Sequence, residues 1–306
     1  MLTVSNLSVN FSRHGQPNAI PAAIRSLDLD VQTGEIMAVV GESGSGKSLL
    51  AHAILGLLPT NALTGGEIVF NGRVLDTNNV LALRGREMAL IPQSVAYLNP
   101  LKRVGVQVQR AAILSGRAPD QAALARDNAF SRYGLGREAQ RLYPHQISGG
   151  MARRVLTATA TTGNASLVVA DEPTTGLDQT TARESLRHLR ELADDGAAVL
   201  LITHDILAAL DVADRVAVFL GGMVLEIAQR DDFADTTRLR HPYTQALWQA
   251  LPHNAFMDAP SRSCTGTTSV QGCVYADDCP QADHLCRESV PKWRDMAEGQ
   301  VRCHHA

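Results

Sequence analysis

The sequence predicts an α/β fold in which apolar strands alternate with helices, interrupted by a helical insertion and followed by a short cysteine-containing tail. Three observations carry that reading. The apolar run EIMAVVG (35–41) leads into GESGSGKS (41–48) and then into a helical pattern, so a glycine-rich loop joins a strand to a helix. The strand–helix rhythm resumes with SLVVA (166–170) and AAVLLIT (197–203), runs too short for helices and suited to buried strands. All five cysteines lie after residue 263, where that rhythm has stopped.

The elements follow in order. LTVSNLSVNF (2–11) and LDLDV (27–31) alternate like half-buried strands. KSLLAHAILGLL, from Lys47, reads as a helix stopped near Pro59. In GEIVFNGRVL (66–75) the pair Asn71-Gly72 between apolar runs predicts a tight hairpin. A strand, MALIP, precedes Gln93, and residues 94–163 turn helical, with loops at 116–119 and 134–136. A helix over 179–194, another over 206–212 and a hairpin around Gly221-Gly222 complete the sheet-and-helix part. Beyond about residue 230 only HPYTQALWQALP (241–252) has helical character, which predicts a small appended module.

Composition narrows the class. The chain has 306 residues, 45% apolar and 19% charged, as expected of one or two globular domains. A formal charge of -3 gives no electrostatic case for a nucleic-acid partner. The N-terminus lacks the order of a signal peptide and no long apolar run predicts a membrane span, so the expectation is a cytoplasmic chain able to dock on a membrane protein.

GESGSGKS fits the pattern GxxxxGK followed by Ser or Thr. Gly41, Gly44 and Gly46 let the backbone turn so that N–H groups, including those of Ser43, Ser45 and Leu49, face a phosphate at a helix N-terminus. Lys47 would reach the β- and γ-phosphates and the Ser48 hydroxyl would bind Mg2+. Such a loop serves kinases, GTPases and ATPases alike. Discrimination comes from Asp171-Glu172, which end an apolar strand: Asp171 is assigned to the metal and Glu172 to the attacking water as general base. Gln93 offers the metal a neutral oxygen, and His204, at the end of AAVLLIT, is placed to bond the γ-phosphate and Glu172.

With these residues in hand, the chain resembles the nucleotide-binding subunit of an ABC transporter. ISGGM (147–151) is similar to the family signature LSGGQ, DEPTTGLD (171–178) contains the D-loop, and ITHD (202–205) contains the switch histidine. The resemblance implies an ABC-type P-loop ATPase core with an antiparallel β subdomain, residues 1–230, its helical subdomain at about 94–163. It implies that Ser148, Gly149 and Gly150 close over ATP held by another subunit's phosphate loop in a head-to-tail dimer with an identical or homologous partner. It further implies that Gln93 reports to the membrane domains, that Asp178 lines the dimer interface, that Phe11 stacks on adenine, and that 94–116 holds the groove for a permease coupling helix.

YPHQISGGMARR (143–154), SVAYLNPLKRVG (94–105) and HPYTQALWQALP resemble ATPases of oligopeptide, dipeptide and nickel importers, with 231–306 as their C-terminal extension. This implies ATP-driven uptake of dipeptides or oligopeptides, with nickel or a metal-chelate as the alternative cargo. Implied partners are two transmembrane permease subunits and an extracytoplasmic substrate-binding protein. The implied place is the cytoplasmic face of the bacterial inner membrane, as a peripheral subunit. A non-transport ABC ATPase acting on nucleic acid is the reading from a different class.

Cys273, Cys279, Cys286 and Cys303 offer four soft ligands suited to an iron–sulfur cluster or tetrahedral zinc, and their spacing lacks a CxxC pair. GCVYADDCPQADHLC with VRCH resembles the cysteine motif of the peptide-importer extension, which implies a 4Fe-4S cluster. Cys264 is read as an extra thiol, and His304 as surface tail, with a place in a zinc site as its alternative.

Overall fold

The structure, a computed structural model, describes residues 1–12, 22–251, 254, 271–296 and 299–306. Two sheets organise it. Strands β1 (Leu2–Phe11), β2 (Ile24–Val31), β4 (Ala62–Phe70) and β5 (Arg73–Val74) form an antiparallel sheet in the order β2-β1-β4-β5. The turn between β4 and β5 is the predicted one, with positive φ at both Asn71 (49°) and Gly72 (73°), as a type I′ turn requires.

The larger sheet contains β3 (Ile36–Gly41), β6 (Met88–Ile91), β7 (Leu167–Asp171), β8 (Ala198–Thr203), β9 (Arg215–Leu220) and β10 (Met223–Gln229). It is completed by β11 (Arg294–Met296) and β12 (Gly299–Val301), in the order β11-β12-β10-β9-β3-β8-β7-β6. Pairings among β9, β3, β8, β7 and β6 are parallel, so each of these strands delivers its C-terminal end to one edge. Alternation along β3 divides the cores. Ile36, Ala38 and Val40 face one side with Leu186, Leu189 and Leu201, whereas Met37 and Val39 face the small sheet with Leu2, Leu27 and Phe70.

Helices fill the connections: α1 (Lys47–Ile54), α2 (Asn79–Leu83), α3 (Val104–Leu114), α4 (Pro119–Arg132), α5 (Gly149–Thr161), α6 (Gln179–Asp194), α7 (Ile206–Leu210), α8 (Pro242–Gln249) and α9 (His284–Glu288). Helix α1 ends before the predicted stop at Pro59, because Gly56 adopts φ 60° and terminates the helix as a left-handed cap. Helix α2, absent from the sequence reading, spans little more than one turn, too short for a periodic pattern. Asp76 starts it by accepting from the Asn78 and Asn79 backbone N–H groups at 2.7 and 2.8 Å. Helices α3, α4 and α5 share their own cluster of Val104, Val108, Phe130, Tyr133, Val155 and Leu156, which gives the helical insertion an internal core.

The segment after residue 230 is joined to the body more closely than its weak pattern predicts. Strand β12 pairs with β10, and Val274, Tyr275 and Tyr243 lie in the core beside Val40 and Val218. Arg302 stacks over Trp293 at 4.7 Å and donates to the Ser26 carbonyl and the Asp28 carboxylate. A three-residue strand and scattered aromatics carry too little periodicity to be read as sheet.

His241, 1% exposed, caps α8 by accepting from the Tyr243 N–H at 3.0 Å, and burial pushes its pKa down to about 3. A histidine depressed in the folded state contributes stability that is complete above its unfolded pKa of about 6.5 and is lost as pH falls toward 3. Relative to His241→Asn, whose side-chain oxygen can still cap the helix, wild-type stability is expected to fall by about 1.4 kcal/mol per pH unit below 6.5. Urea unfolding at pH 7 and 5 checks this, and parallel losses in the two proteins would contradict it.

Candidate nucleotide site

The phosphate loop is shaped by three glycines in a region that L side chains avoid: Gly41 (φ 153°), Gly44 (79°) and Gly46 (106°). At Gly41 crowding adds to the torsion, since a Cβ there would lie 2.1 Å from the Phe219 carbonyl oxygen. Lys47, 5% exposed, folds back to donate to the Gly41 and Glu42 carbonyls at 2.8 and 2.7 Å. Burial draws its pKa down, opposed by the charges of Glu172, Asp171 and Glu42. The ammonium therefore sits beneath the loop, surrounded by the groups that favour its charged form. Ser43 and Gly44 are exposed, and the Leu49 N–H bonds back to Gly46 at 3.0 Å as the first turn of α1 forms.

Strand register assembles the remaining groups. Val40 pairs with Thr203, Asp171 with Ile202, and Ile91 with Ala170, so Gly41, His204, Asp171-Glu172 and Gln93 all leave the same edge. The Ser48 hydroxyl donates to Asp171 Oδ1 at 3.1 Å. Two hard oxygen donors at that separation fit one edge of an Mg2+ octahedron, for which bonds of about 2.0–2.1 Å place neighbouring ligands roughly 2.9 Å apart. Burial raises the Asp171 carboxyl, so an incoming cation would stabilise its ionised form. Gln93 lies exposed just beyond β6.

Glu172 has φ 49°, a left-handed conformation that is uncommon for a residue bearing a side chain and is typical of strained functional positions. Its carboxylate meets His204 Nδ1 at 2.9 Å and accepts from the Thr175 hydroxyl at 3.1 Å. The His204 side chain is 53% exposed, so it bridges the buried carboxylate and the open crevice. Thr175 was not singled out from the sequence; its signal is its place in DEPTTGLD, three residues after Glu172.

Other predicted residues lie elsewhere. Ser148 caps α5, accepting from the Met151 N–H at 3.2 Å, and nothing stands within 4 Å of a Cβ built on Gly149 or Gly150. Ile147 and Met151 pack on the helical insertion's own core. Among the described residues no hydrogen bond links 148–150 to the chain's own phosphate loop. Asp178 is exposed and caps α6, accepting from the Thr180 and Thr181 N–H groups at 3.1 Å. Phe11 ends β1, half-buried against the core between the sheets. Beside the loop, the C-terminal segment contributes the Tyr243 hydroxyl to the half-buried Glu42 carboxylate.

A second concavity, about 560 Å³, opens between α1, β6, α3 and α5. Residues 94–116 supply Asn99, Lys102, Gln107, Arg110 and Leu114 to it, and Arg84 adds a further cation.

In the tail, the Cys273 thiol is pushed up to about 11, first by burial and then by Cys286, Cys303 and Cys279 nearby. The Cys273 backbone N–H donates to the Cys286 carbonyl at 2.8 Å, and none of Cys273, Cys279, Cys286 and Cys303 forms a disulfide. His304 Nε2 bonds the Ser289 carbonyl at 3.0 Å, whereas His305 Nε2 lies 3.4 Å from Cys286 Sγ. Cys264 lies outside the described residues.

The chain is similar to known proteins along most of its length. Residues 24–175 match the ABC transporter family and residues 225–286 match the oligopeptide/dipeptide transporter C-terminal region. The chain is 36% identical to the dipeptide transport ATP-binding protein DppD of Escherichia coli, over 100% of this chain and 96% of that one. It is 35% identical to the probable peptide ABC transporter ATP-binding protein y4tR of Sinorhizobium fredii, over 98% of this chain and 93% of that one. A solved post-hydrolysis dimer of the ATP-binding cassette MJ0796 bound to ADP and Pi superposes with a TM-score of 0.67 at 26% identity, over 75% of this chain and 99% of that one.

Proposed function

Since this chain belongs to the ATP-binding subunits of ABC transporters of the oligopeptide/dipeptide class, we propose that it hydrolyses ATP to power uptake of dipeptides or oligopeptides through a membrane permease. The observation that carries the catalytic reading is the delivery of Lys47, Ser48, Gln93, Asp171, Glu172 and His204 to one sheet edge. Gly41, Ser43, Gly44, Ser45, Gly46 and Leu49 cradle the phosphates, Lys47 neutralises them, and Phe11 stacks on the adenine. Ser48 and Asp171, with Gln93 beside them, would hold Mg2+, which would supply charge compensation on the phosphate oxygens. Glu172, oriented by His204 and Thr175, takes the proton of the water that attacks the γ-phosphorus, and ADP departs.

Ser148, Gly149 and Gly150, remote from the chain's own loop, complete the site of a second ATPase subunit, identical or homologous, in a head-to-tail dimer, with Asp178 at the interface. The roughly 560 Å³ concavity receives a helix from one of two permease subunits, and an extracytoplasmic binding protein delivers cargo to them. No helix among the described residues is long and apolar enough to cross a membrane, which suits a peripheral subunit on the cytoplasmic face of the inner membrane. Residues 1–230 form the nucleotide-binding domain and 231–306 the class-specific extension, in which Cys273, Cys279, Cys286 and Cys303 hold a 4Fe-4S cluster. All four are free thiols of the ligand type such a cluster takes, and it would serve as a structural brace or a redox sensor there.

Vesicles reconstituted with the permease pair and the binding protein should accumulate labelled dipeptides or oligopeptides only with ATP on this chain's side. Uptake of Ni2+ without peptide would replace the cargo assignment, and uptake of neither would overturn the importer reading.

A further inference from the structure

We propose that His188 is a positioning residue: in a polar joint between α4, α5 and α6 it binds one buried water and fixes how Ser148-Gly149-Gly150 and Asp178 stand toward each other. The inference rests on the head-to-tail dimer proposed above, in which both segments meet a second subunit. Each segment is a helix start. Helix α5 begins at Gly149 with Ser148 as its cap, and α6 begins at Gln179 with Asp178 as its cap. The relative placement of the two helices therefore sets the relative placement of the two caps.

Tyr133, at the end of α4, is the hub of the joint. Its hydroxyl meets Thr161 Oγ1 at 2.7 Å, and Arg154 of α5 donates to the Tyr133 and Gly134 carbonyls at 3.2 Å, which ties α4 to α5. Against that pair α6 sets His188, its ring edge-to-face with Tyr133 at 4.6 Å, and Glu191, which pairs with Arg132. His188 is 5% exposed, and its Nδ1 is buried with no hydrogen-bond partner among the described residues. Burial first, then the Arg132 and Arg187 cations, hold the imidazole below its ordinary pKa against the pull of Glu191 and Glu184. It is therefore neutral at pH 7, with one nitrogen an acceptor and the other a donor. A cavity of about 20 Å³ adjoins the ring, lined by Thr157 of α5 and by Thr181 and Ser185 of α6. One water needs roughly 10–15 Å³ and two to four polar partners, and this cavity offers both. A water there joins α5 to α6 through His188, whereas a dry cavity would leave Nδ1 unsatisfied.

Two substitutions separate the ring from its nitrogen. His188→Phe keeps the contact with Tyr133 and removes the polar atom, whereas His188→Asn keeps a polar atom near the place of Nδ1 and removes the ring. Each is made in the full chain carrying Glu172→Gln, and ATP-driven dimerisation, with itself or with the second ATPase of the assembly, is measured by analytical ultracentrifugation. His188→Phe should weaken dimerisation roughly fivefold or more and His188→Asn by no more than about twofold, while each chain alone binds ATP within about twofold of its parent. A crystal of the full chain should show one ordered water about 3 Å from His188 Nδ1, missing in His188→Phe. No dimer from Glu172→Gln alone would remove the dimer reading and this proposal with it. With that dimer present, the proposal alone is overturned by unweakened dimerisation of His188→Phe, by His188→Asn doing no better than His188→Phe, by ATP affinity falling in parallel, or by a dry cavity.

Discussion

Glu172→Gln is expected to lower ATP turnover by roughly 10²- to 10⁴-fold while leaving ATP affinity within about twofold, the range a general base contributes. The amide keeps the size of the side chain and one acceptor oxygen for Thr175 but cannot take a proton from water. His204 would retain its place, so the loss reports on the proton acceptor itself. ATP should then accumulate unhydrolysed in a closed dimer, visible as a stable increase in mass with ATP that ADP does not produce. Single-turnover hydrolysis at the wild-type rate would remove Glu172 from the role of base.

Lys47→Ala acts on binding. Its ammonium is already gathered under the loop by two carbonyls at 2.8 and 2.7 Å, beside the carboxylates of Glu172 and Asp171. Phosphate oxygens arriving there receive a charge-assisted donor, worth about 1.5–3 kcal/mol, so the alanine variant should bind ATP roughly 10- to 100-fold more weakly. Equilibrium titration with a fluorescent ATP analogue measures this directly. An unchanged dissociation constant would place the phosphates elsewhere.

The catalytic edge was legible because its residues are local signals at the ends of apolar runs. GESGSGKS, Asp171-Glu172 and His204 each follow a short buried strand, and parallel pairing then brings those ends together. Non-local terms were harder to read. Glu172 takes a left-handed φ that a glutamate does not advertise, and Thr175 gains its place only because the chain turns back there. The tail shows the largest gap between pattern and structure. Its contacts are Tyr243 against Tyr275, Arg302 over Trp293 and a three-residue strand on β10, all made by residues distant in sequence and without periodicity. That the His305 imidazole meets Cys286 while His304 bonds the Ser289 carbonyl likewise depends on how the last residues of the chain turn.

We infer that each chain carries halves of two different sites, its phosphate loop serving one ATP and Ser148-Gly149-Gly150 another. Ser148→Arg tests it with two readings on one protein. The isolated chain should bind ATP within about twofold of wild type, because Ser148 caps α5 with no hydrogen bond to its own loop among the described residues. In the assembled transporter the same substitution should abolish turnover at the site it completes, since an arginine would fill the open space beside Gly149 and Gly150. Weakened ATP binding by the isolated variant, or undiminished turnover in the assembly, would contradict the claim.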